Sequence, residues 1–222
     1  MMESRKFDGV IFDVDGTLWE ATDIVARAWN QAFEDFGRAD RVTGKQLQGL
    51  FGQPMDVIFE SVVSDADSMT GSERQDFFRV MTDYEFRYLK KDSAKVYDGL
   101  VETFRILAKR YPLAIVSNCQ AGYIEILLEK TGLEPYVKGH LCPDDTGFLK
   151  AGNICVMADR LGMKNPVYVG DTVMDAAACR AAGVAFIHAA YGFGVLDPEG
   201  RDRESGRIGS LNELPGLLET MR

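Results

Sequence analysis

Asp13-Val14-Asp15-Gly16-Thr17 sets two carboxylates one residue apart directly after the apolar run Val10-Ile11-Phe12. Side chains at i and i+2 of an extended strand share a face, so the spacing predicts two carboxyls aimed into one pocket. Like charges that close repel, and either one is protonated or a cation sits between them. The pair therefore points to a bound metal ion or to proton transfer. The same residues also spell an ordinary Asp-Gly turn.

Other polar residues recur where further apolar runs stop. Ser117-Asn118 follow Leu113-Ala114-Ile115-Val116, Lys150 precedes a helical pattern, and Asp171 and Asp175 lie in Gly170-Asp171-Thr172-Val173-Met174-Asp175. Taken singly, Ser117, Asn118, Asp171 and Thr172 read as helix caps, and Lys150 and Asp175 as solvated surface charges. Their joint placement at successive strand ends argues against coincidence, because ligands of open α/β sheets bind beyond the carboxyl ends of the strands. The set suits phosphoryl transfer. Carboxylate oxygens fit a hard cation such as Mg²⁺, while Ser117, Lys150 and nearby backbone N–H groups fit phosphate oxygens. His140 and His188 fall in or beside strand-like runs and read as packed rather than ligating. Cys119, Cys142, Cys155 and Cys179 include no CxxC pair, which favours reduced thiols over a zinc site or disulfide framework.

The elements that must position these groups alternate. Short β-branched runs over 9–13, 113–117, 137–141, 167–170 and 184–188 read as buried strands, with amphipathic helical patterns over 99–110, 121–131, 151–161 and 172–182. Gly132, Gly162 and Gly183 stand where helix C-caps are expected. This predicts a Rossmann-like α/β fold, an open parallel sheet with helices on both faces. From Trp19 to about Ala94 no strand pattern is evident, only helical periodicity over 24–36, 53–63 and 73–89. The expectation is a catalytic core of residues 1–18 and 95–222 with an inserted α-helical cap domain over 19–94, and a last short helix over 211–218.

Length and charge bound the function. At 222 residues the chain can bury a large core, and a net charge of −9 argues against nucleic acid or an anionic membrane as a bulk partner. The N-terminal residues lack the apolar length of a signal segment or membrane span, so a cytoplasmic protein is expected.

Phe12-Asp13-Val14-Asp15-Gly16-Thr17-Leu18, Val116-Ser117-Asn118, Lys150, and Gly170-Asp171-Thr172 with Asp175 resemble, in order, the motifs of the haloacid dehalogenase superfamily. The resemblance spans essentially the whole chain and is to the phosphatase branch with a helical cap after the first motif, similar to phosphoglycolate phosphatases. It implies that Asp13 attacks phosphorus to form an aspartyl-phosphate and that Asp15 protonates the leaving oxygen and then activates water. It implies Mg²⁺ held by Asp13, the backbone carbonyl of Asp15 and Asp171, with Asp175 close by. Gly16, Thr17, Ser117, Asn118 and Lys150 would contact phosphate, and Lys150 would also orient Asp13.

An aspartate at position 15 favours a phosphatase or phosphosugar mutase over dehalogenase and phosphonate-cleaving relatives, which carry another residue there. One departure is Ala151, where many relatives place proline after the lysine; Lys138 and Lys164 are alternative lysines but do not precede the helix. The substrate implied is a small-molecule phosphate ester, handled by a monomer or homodimer. A β-phosphoglucomutase-like isomerase is the alternative enzyme, although residues 45–54 carry no Arg-containing sugar signature. A non-enzymatic phospho-receiver module is a further alternative, opposed by the insertion and by Asp15. Gly44, Lys45, Gln48, Gly49, Phe51 and Gly52 are candidates for a substrate-selecting loop, and Tyr191-Gly192-Phe193-Gly194 for a segment bordering the site.

Overall fold

The computed structural model describes residues 6–202 and 204–221. In chain order the strands are β1 (Gly9–Phe12), β2 (Trp19–Glu20), β3 (Lys95–Val96), β4 (Leu113–Val116), β5 (Val137–Leu141), β6 (Pro166–Gly170), β7 (Ala185–Ala189) and β8 (Gly206–Ile208). The α-helices are α1 (Thr22–Asp35), α2 (Gly44–Gln48), α3 (Met55–Val62), α4 (Gly71–Lys91), α5 (Leu100–Leu107), α6 (Tyr123–Thr131), α7 (Pro143–Thr146), α8 (Lys150–Arg160), α9 (Val173–Ala182), α10 (Pro198–Asp202) and α11 (Leu214–Thr220). They form two compact units, one comprising the chain up to Glu20 and from Val96 onward, the other Ala21–Lys95.

The first unit is built on a six-stranded sheet of order β5-β4-β1-β6-β7-β8. All its neighbours run parallel, with Phe12 opposite Ile115 on one side and Val169 on the other. Every β1 residue is buried, as a parallel strand covered on both faces must be. Alternation then divides it: Phe12 stacks on Phe104 of α5 at 4.6 Å between ring centroids, whereas Ile11 joins Ile154 and Met157 of α8 and Ala176 and Cys179 of α9. The order of connection reverses at β1, from which the chain runs outward through β4 and β5 and then through β6, β7 and β8. The carboxyl ends of β1, β4 and β6 meet at that switch point.

The second unit is helical. Its long α4 opens with a capping box between Thr70 and Glu73 and ends on Lys90 and Lys91, which favour the helix's negative end. Against it lies α1, with Phe33 on Phe77 at 6.0 Å and the Trp29 indole N–H donating 2.8 Å to the buried Glu85 carboxylate.

Three expectations need correction. The stretch from Trp19 onward does contain extended backbone, because Trp19–Glu20 forms β2 of a separate two-stranded sheet; Gly16 N also donates to Trp19 O at 2.9 Å and Trp19 bridges Asp15. The sheet also has a strand beyond those read from the sequence, β8, and the expected C-terminal helix is split into a 3-10 turn over Leu211–Glu213 followed by α11. Among the described residues no helix is long and apolar enough to cross a membrane.

Candidate active site

Asp13 is the first residue beyond β1, and its amide donates 2.9 Å to Val169 O of β6. The carboxylates of Asp13, Asp171 and Asp175 offer oxygens all within 4.8 Å of one another, and all three residues are buried. Lys150 lies among them, its ammonium donating 2.8 Å to Asp13 Oδ1 and 2.6 Å to Asp175 Oδ1. The lysine is 2% exposed, so it is an interior cation and not a solvated surface charge.

Local structure explains how a lysine comes to be held there. Lys150 is the first residue of α8, where the backbone N–H has no intrahelical acceptor; Asn118 Oδ1 supplies one at 2.9 Å. The approach to α8 is fastened by Asn153, whose amide donates 2.8 Å to Phe148 O. Asn118 thus connects the end of β4 to the lysine. Ser117 is buried beside it, its amide bonded to Leu141 O at 3.2 Å.

Asp171 follows β6 and is completely buried. Its Oδ2 accepts from Gly194 N at 2.8 Å, and Thr17 Oγ1 lies 3.5 Å from its Oδ1. Three glycines make this approach possible. A Cβ on Gly16, where φ is +80°, would come within 2.2 Å of Asp171 Oδ2; one on Gly192 would meet Gly16 O at 2.3 Å; one on Gly194 would meet Asp171 O at 2.5 Å. The Tyr191 hydroxyl ties the same loop to Thr17 O at 2.7 Å. The Tyr191–Gly194 segment therefore does border the site, as a backbone cradle for Asp171.

Asp175 has both oxygens engaged. Beyond its bond to Lys150, its Oδ2 accepts from Thr172 N at 2.9 Å and from Thr172 Oγ1 at 2.7 Å, in the capping box of α9. It reads as the group that anchors Lys150 to a helix start. Buried Tyr168 adds a hydroxyl, 2.8 Å from Val116 O and 3.4 Å from Asp175 Oδ1.

Asp15 departs from the strand argument. The chain leaves β1 at Phe12, and Val14 O accepts from the amides of Thr17 and Leu18, so Asp15 sits in a turn where strand alternation no longer applies. Its carboxylate lies outside the three-carboxylate cluster, and its Oδ1 accepts instead from the Tyr123 hydroxyl at 2.8 Å. Among the other residues singled out, Gly44, Lys45 and Gln48 belong to α2 and Gly49, Phe51 and Gly52 to the turns after it. His188 is buried with Nδ1 3.3 Å from Glu204 Oε2, and Cys119, Cys142 and Cys179 are buried free thiols.

The electrostatics of the cluster follow from burial. Removal from water, with the Asp175 charge, raises Asp13 to about 6 against the opposing pull of Lys150. Burial and the charges of Asp175 and Asp13 push Asp171 well above the ordinary carboxylate range. Burial alone would lower Lys150, but the two carboxylates it touches more than offset this and hold it above its usual value. One ammonium thus pairs with two of three clustered carboxylates. A divalent cation would balance the remainder, and a donor set made only of carboxylate oxygens suits a hard, oxygen-seeking ion.

A model of the haloacid dehalogenase-like hydrolases matches residues 10–189, a span that holds Asp13, Ser117, Lys150 and Asp171. The chain belongs to this family. A plasmid-encoded phosphoglycolate phosphatase of Cupriavidus necator is 26% identical over 223 residues, covering 96% of this chain and 94% of its own. A phosphoglycolate phosphatase of Photobacterium profundum is 25% identical over 205 residues, covering 87% and 89%. A solved structure described as a predicted phosphoglycolate phosphatase from Haemophilus somnus 129pt superposes with a TM-score of 0.83 over 96% of this chain and 98% of that one, at 22% identity. The shared fold is therefore that of a haloacid dehalogenase-like hydrolase.

Residues of this hydrolase that the sequence alone did not single out are Tyr123, Tyr168 and Asn153. Each acts through a hydrogen bond to a residue distant in the chain or to a backbone carbonyl, and no local spacing announces such a partner.

Proposed function

We propose that this hydrolase is a Mg²⁺-dependent phosphatase of small phosphate monoesters, acting through a phosphoryl group carried on Asp13, with 2-phosphoglycolate the first candidate substrate. The observation that carries the reading is Asp13 at the switch point of the sheet, buried between the Lys150 ammonium and the carboxylates of Asp171 and Asp175. Relatives named phosphoglycolate phosphatase that align along nearly the full chain support the substrate class.

In this reading an Asp13 oxygen attacks phosphorus, the ester P–O bond breaks, and Asp15 gives its proton to the departing alkoxide oxygen. Asp15 then takes a proton from the water that attacks the phosphorus of the aspartyl-phosphate; inorganic phosphate leaves and Asp13 is regenerated. Mg²⁺ held by Asp13, the Asp15 carbonyl and Asp171 would neutralise charge on the phosphoryl oxygens. Lys150 keeps the Asp13 carboxylate aimed, Asp175 keeps Lys150 in place, and Lys150, Ser117, Asn118 and the Gly16-Thr17 backbone receive the phosphoryl oxygens.

Magnitudes require this division. Acid–base help from Asp15 supplies roughly 10²–10⁴-fold, whereas uncatalysed phosphomonoester hydrolysis can demand up to ~10²¹-fold. Most of the acceleration must come from the covalent step and the preorganised charges. The helical unit is assigned the role of a cap that excludes water and selects the substrate, with the α2 region, including Gly44, Lys45 and Gln48, as its selecting segment. The free thiols suit a reducing compartment such as the cytoplasm.

The test is phosphate release from a panel of small esters, including 2-phosphoglycolate, with Mg²⁺ and with chelator. Turnover of at least one ester that vanishes with chelator is expected. Absence of release from every ester, or conversion of β-glucose 1-phosphate to glucose 6-phosphate in its place, would overturn the reading.

A further inference from the structure

Tyr123 has no assigned role, yet its hydroxyl lies 2.8 Å from Asp15 Oδ1 across 108 residues of chain. We propose that Tyr123 is the positioning residue of Asp15, holding the acid–base carboxyl in the one orientation from which it reaches the leaving oxygen. The inference rests on the phosphatase reading above, which gives Asp15 its acid–base role.

Asp15 needs an external hold. Its side chain is only partly buried, so close packing alone does not fix its torsion. Its backbone is set by the bridge to Trp19. Tyr123 restrains its carboxyl, because a hydrogen bond to one oxygen restricts where the other points.

The tyrosine is itself well anchored. It is 2% exposed, is the first residue of α6, and follows Gly122, whose φ of +97° turns the chain into that helix. Its ring meets the buried Trp19 indole edge-on, at 5.5 Å between centroids and 85° between planes. Trp19 is also the residue that bridges Asp15, so one aromatic pair braces both the backbone and the side chain of the acid. A phenol suits this task because it donates a hydrogen bond while adding no charge beside the carboxylate cluster.

Misdirecting a reacting group by about 1 Å can cost ~10²-fold, and the loss should follow the need for a proton. An alkyl ester such as 2-phosphoglycolate leaves as a poor alkoxide and needs Asp15; p-nitrophenyl phosphate leaves as a stable phenolate and hardly does. The experiment measures kcat/KM, which reports the steps through phosphoryl transfer to Asp13, for wild type, Tyr123→Phe, Asp15→Asn and the double variant on both esters with Mg²⁺.

Tyr123→Phe keeps the ring against Trp19. It is expected to lose about 10- to 100-fold on 2-phosphoglycolate while staying within about threefold on p-nitrophenyl phosphate. In the Asp15→Asn background it is expected to change neither. Equal losses on both esters would mark a merely structural tyrosine, and no loss on either, or an undiminished loss in the Asp15→Asn background, would equally overturn the proposal. Where wild type prefers another alkyl ester of the panel, that ester takes the place of 2-phosphoglycolate; if wild type releases phosphate from no ester, the phosphatase reading falls and this one with it, and otherwise only the role of Tyr123 is at stake.

Discussion

The Lys150 ammonium donates 2.8 Å to Asp13 Oδ1 with the two side chains only 2% and 3% exposed. A pair so sealed from water is costly to assemble and costlier to break, because either partner left alone keeps its desolvation penalty without compensation. Asp175 makes the arrangement three-membered, 2.6 Å from the same ammonium. The proposed nucleophile is thereby held by a cation that is itself fixed to the first turn of α9.

Replacing Lys150 tests that interlock. Lys150→Met is expected to destabilise the fold by about 3–5 kcal/mol, as when one partner of a buried ion pair is removed. Urea denaturation measures it. Adding Asp13→Asn and Asp175→Asn should recover part of the loss, since the stranded charges disappear; no recovery would mean that packing, and not charge, is what Lys150 provides.

Asp13→Asn is expected to lower turnover by more than about 10³-fold, measured as phosphate release from whichever ester wild type prefers. The amide keeps the shape of the side chain but cannot act as the nucleophile. A variant retaining wild-type release would remove Asp13 from the proposed covalent step.

Asp171 pits stability against function. Burial and two neighbouring carboxylates oppose its ionisation, so Asp171→Asn should raise the Tm of chelator-treated protein by about 2–4 °C per kcal/mol relieved. The same change should abolish most of the Tm rise that Mg²⁺ gives wild type. A scan with and without metal reads both effects, and an unaltered Mg²⁺ shift would take Asp171 out of the ligand set.

The pH dependence has a definite sign. With its folded value raised from 3.8 to about 6, Asp13 contributes stability that is full below 3.8 and is lost as pH rises through about 6. In metal-free protein the Tm of Asp13→Asn relative to wild type should therefore grow from about pH 4 to about pH 6 and level off above it. A difference that stays flat over this range would mean that Asp13 titrates alike in the folded and unfolded chains.

Gly192 offers a steric test. A Cβ there would stand 2.3 Å from Gly16 O and 2.6 Å from Asp171 Oδ2. Gly192→Ala is expected to cost about 1–3 kcal/mol by overpacking and to weaken Mg²⁺ binding by displacing Asp171, read as a reduced Mg²⁺-induced Tm shift. Gly71→Ala, where φ is likewise not positive and the added methyl would meet nothing within 4 Å, is the control for a glycine-to-alanine change without the clash.

What the sequence made legible was whatever local pattern encodes. β1 and β6 announce themselves as apolar runs that end in carboxylates, and Lys150 stands at the start of a helical pattern. Its burial was illegible, because a lysine becomes an interior residue only when carboxylates from two other elements arrive to pair with it. Asp15 was misdirected by strand periodicity, which stops where Val14 O begins to accept turn hydrogen bonds. β8 escaped notice because Gly206-Arg207-Ile208 buries a single apolar side chain at the edge of the sheet and is ordered by pairing with β7. Tyr123 carries no signal until the turn after β1 brings Asp15 to its hydroxyl.

The central position of β1 has a consequence for when the site can come apart. Hydrogen-bonded to β4 on one side and β6 on the other, β1 has no edge from which to peel. The amides of Ile11 to Asp13 should therefore exchange with solvent deuterium only through global opening, while those of the edge strand β8 exchange sooner. The proposed nucleophile would then sit among the last residues to surrender their structure, so the carboxylate cluster outlasts fraying at the margins of the sheet.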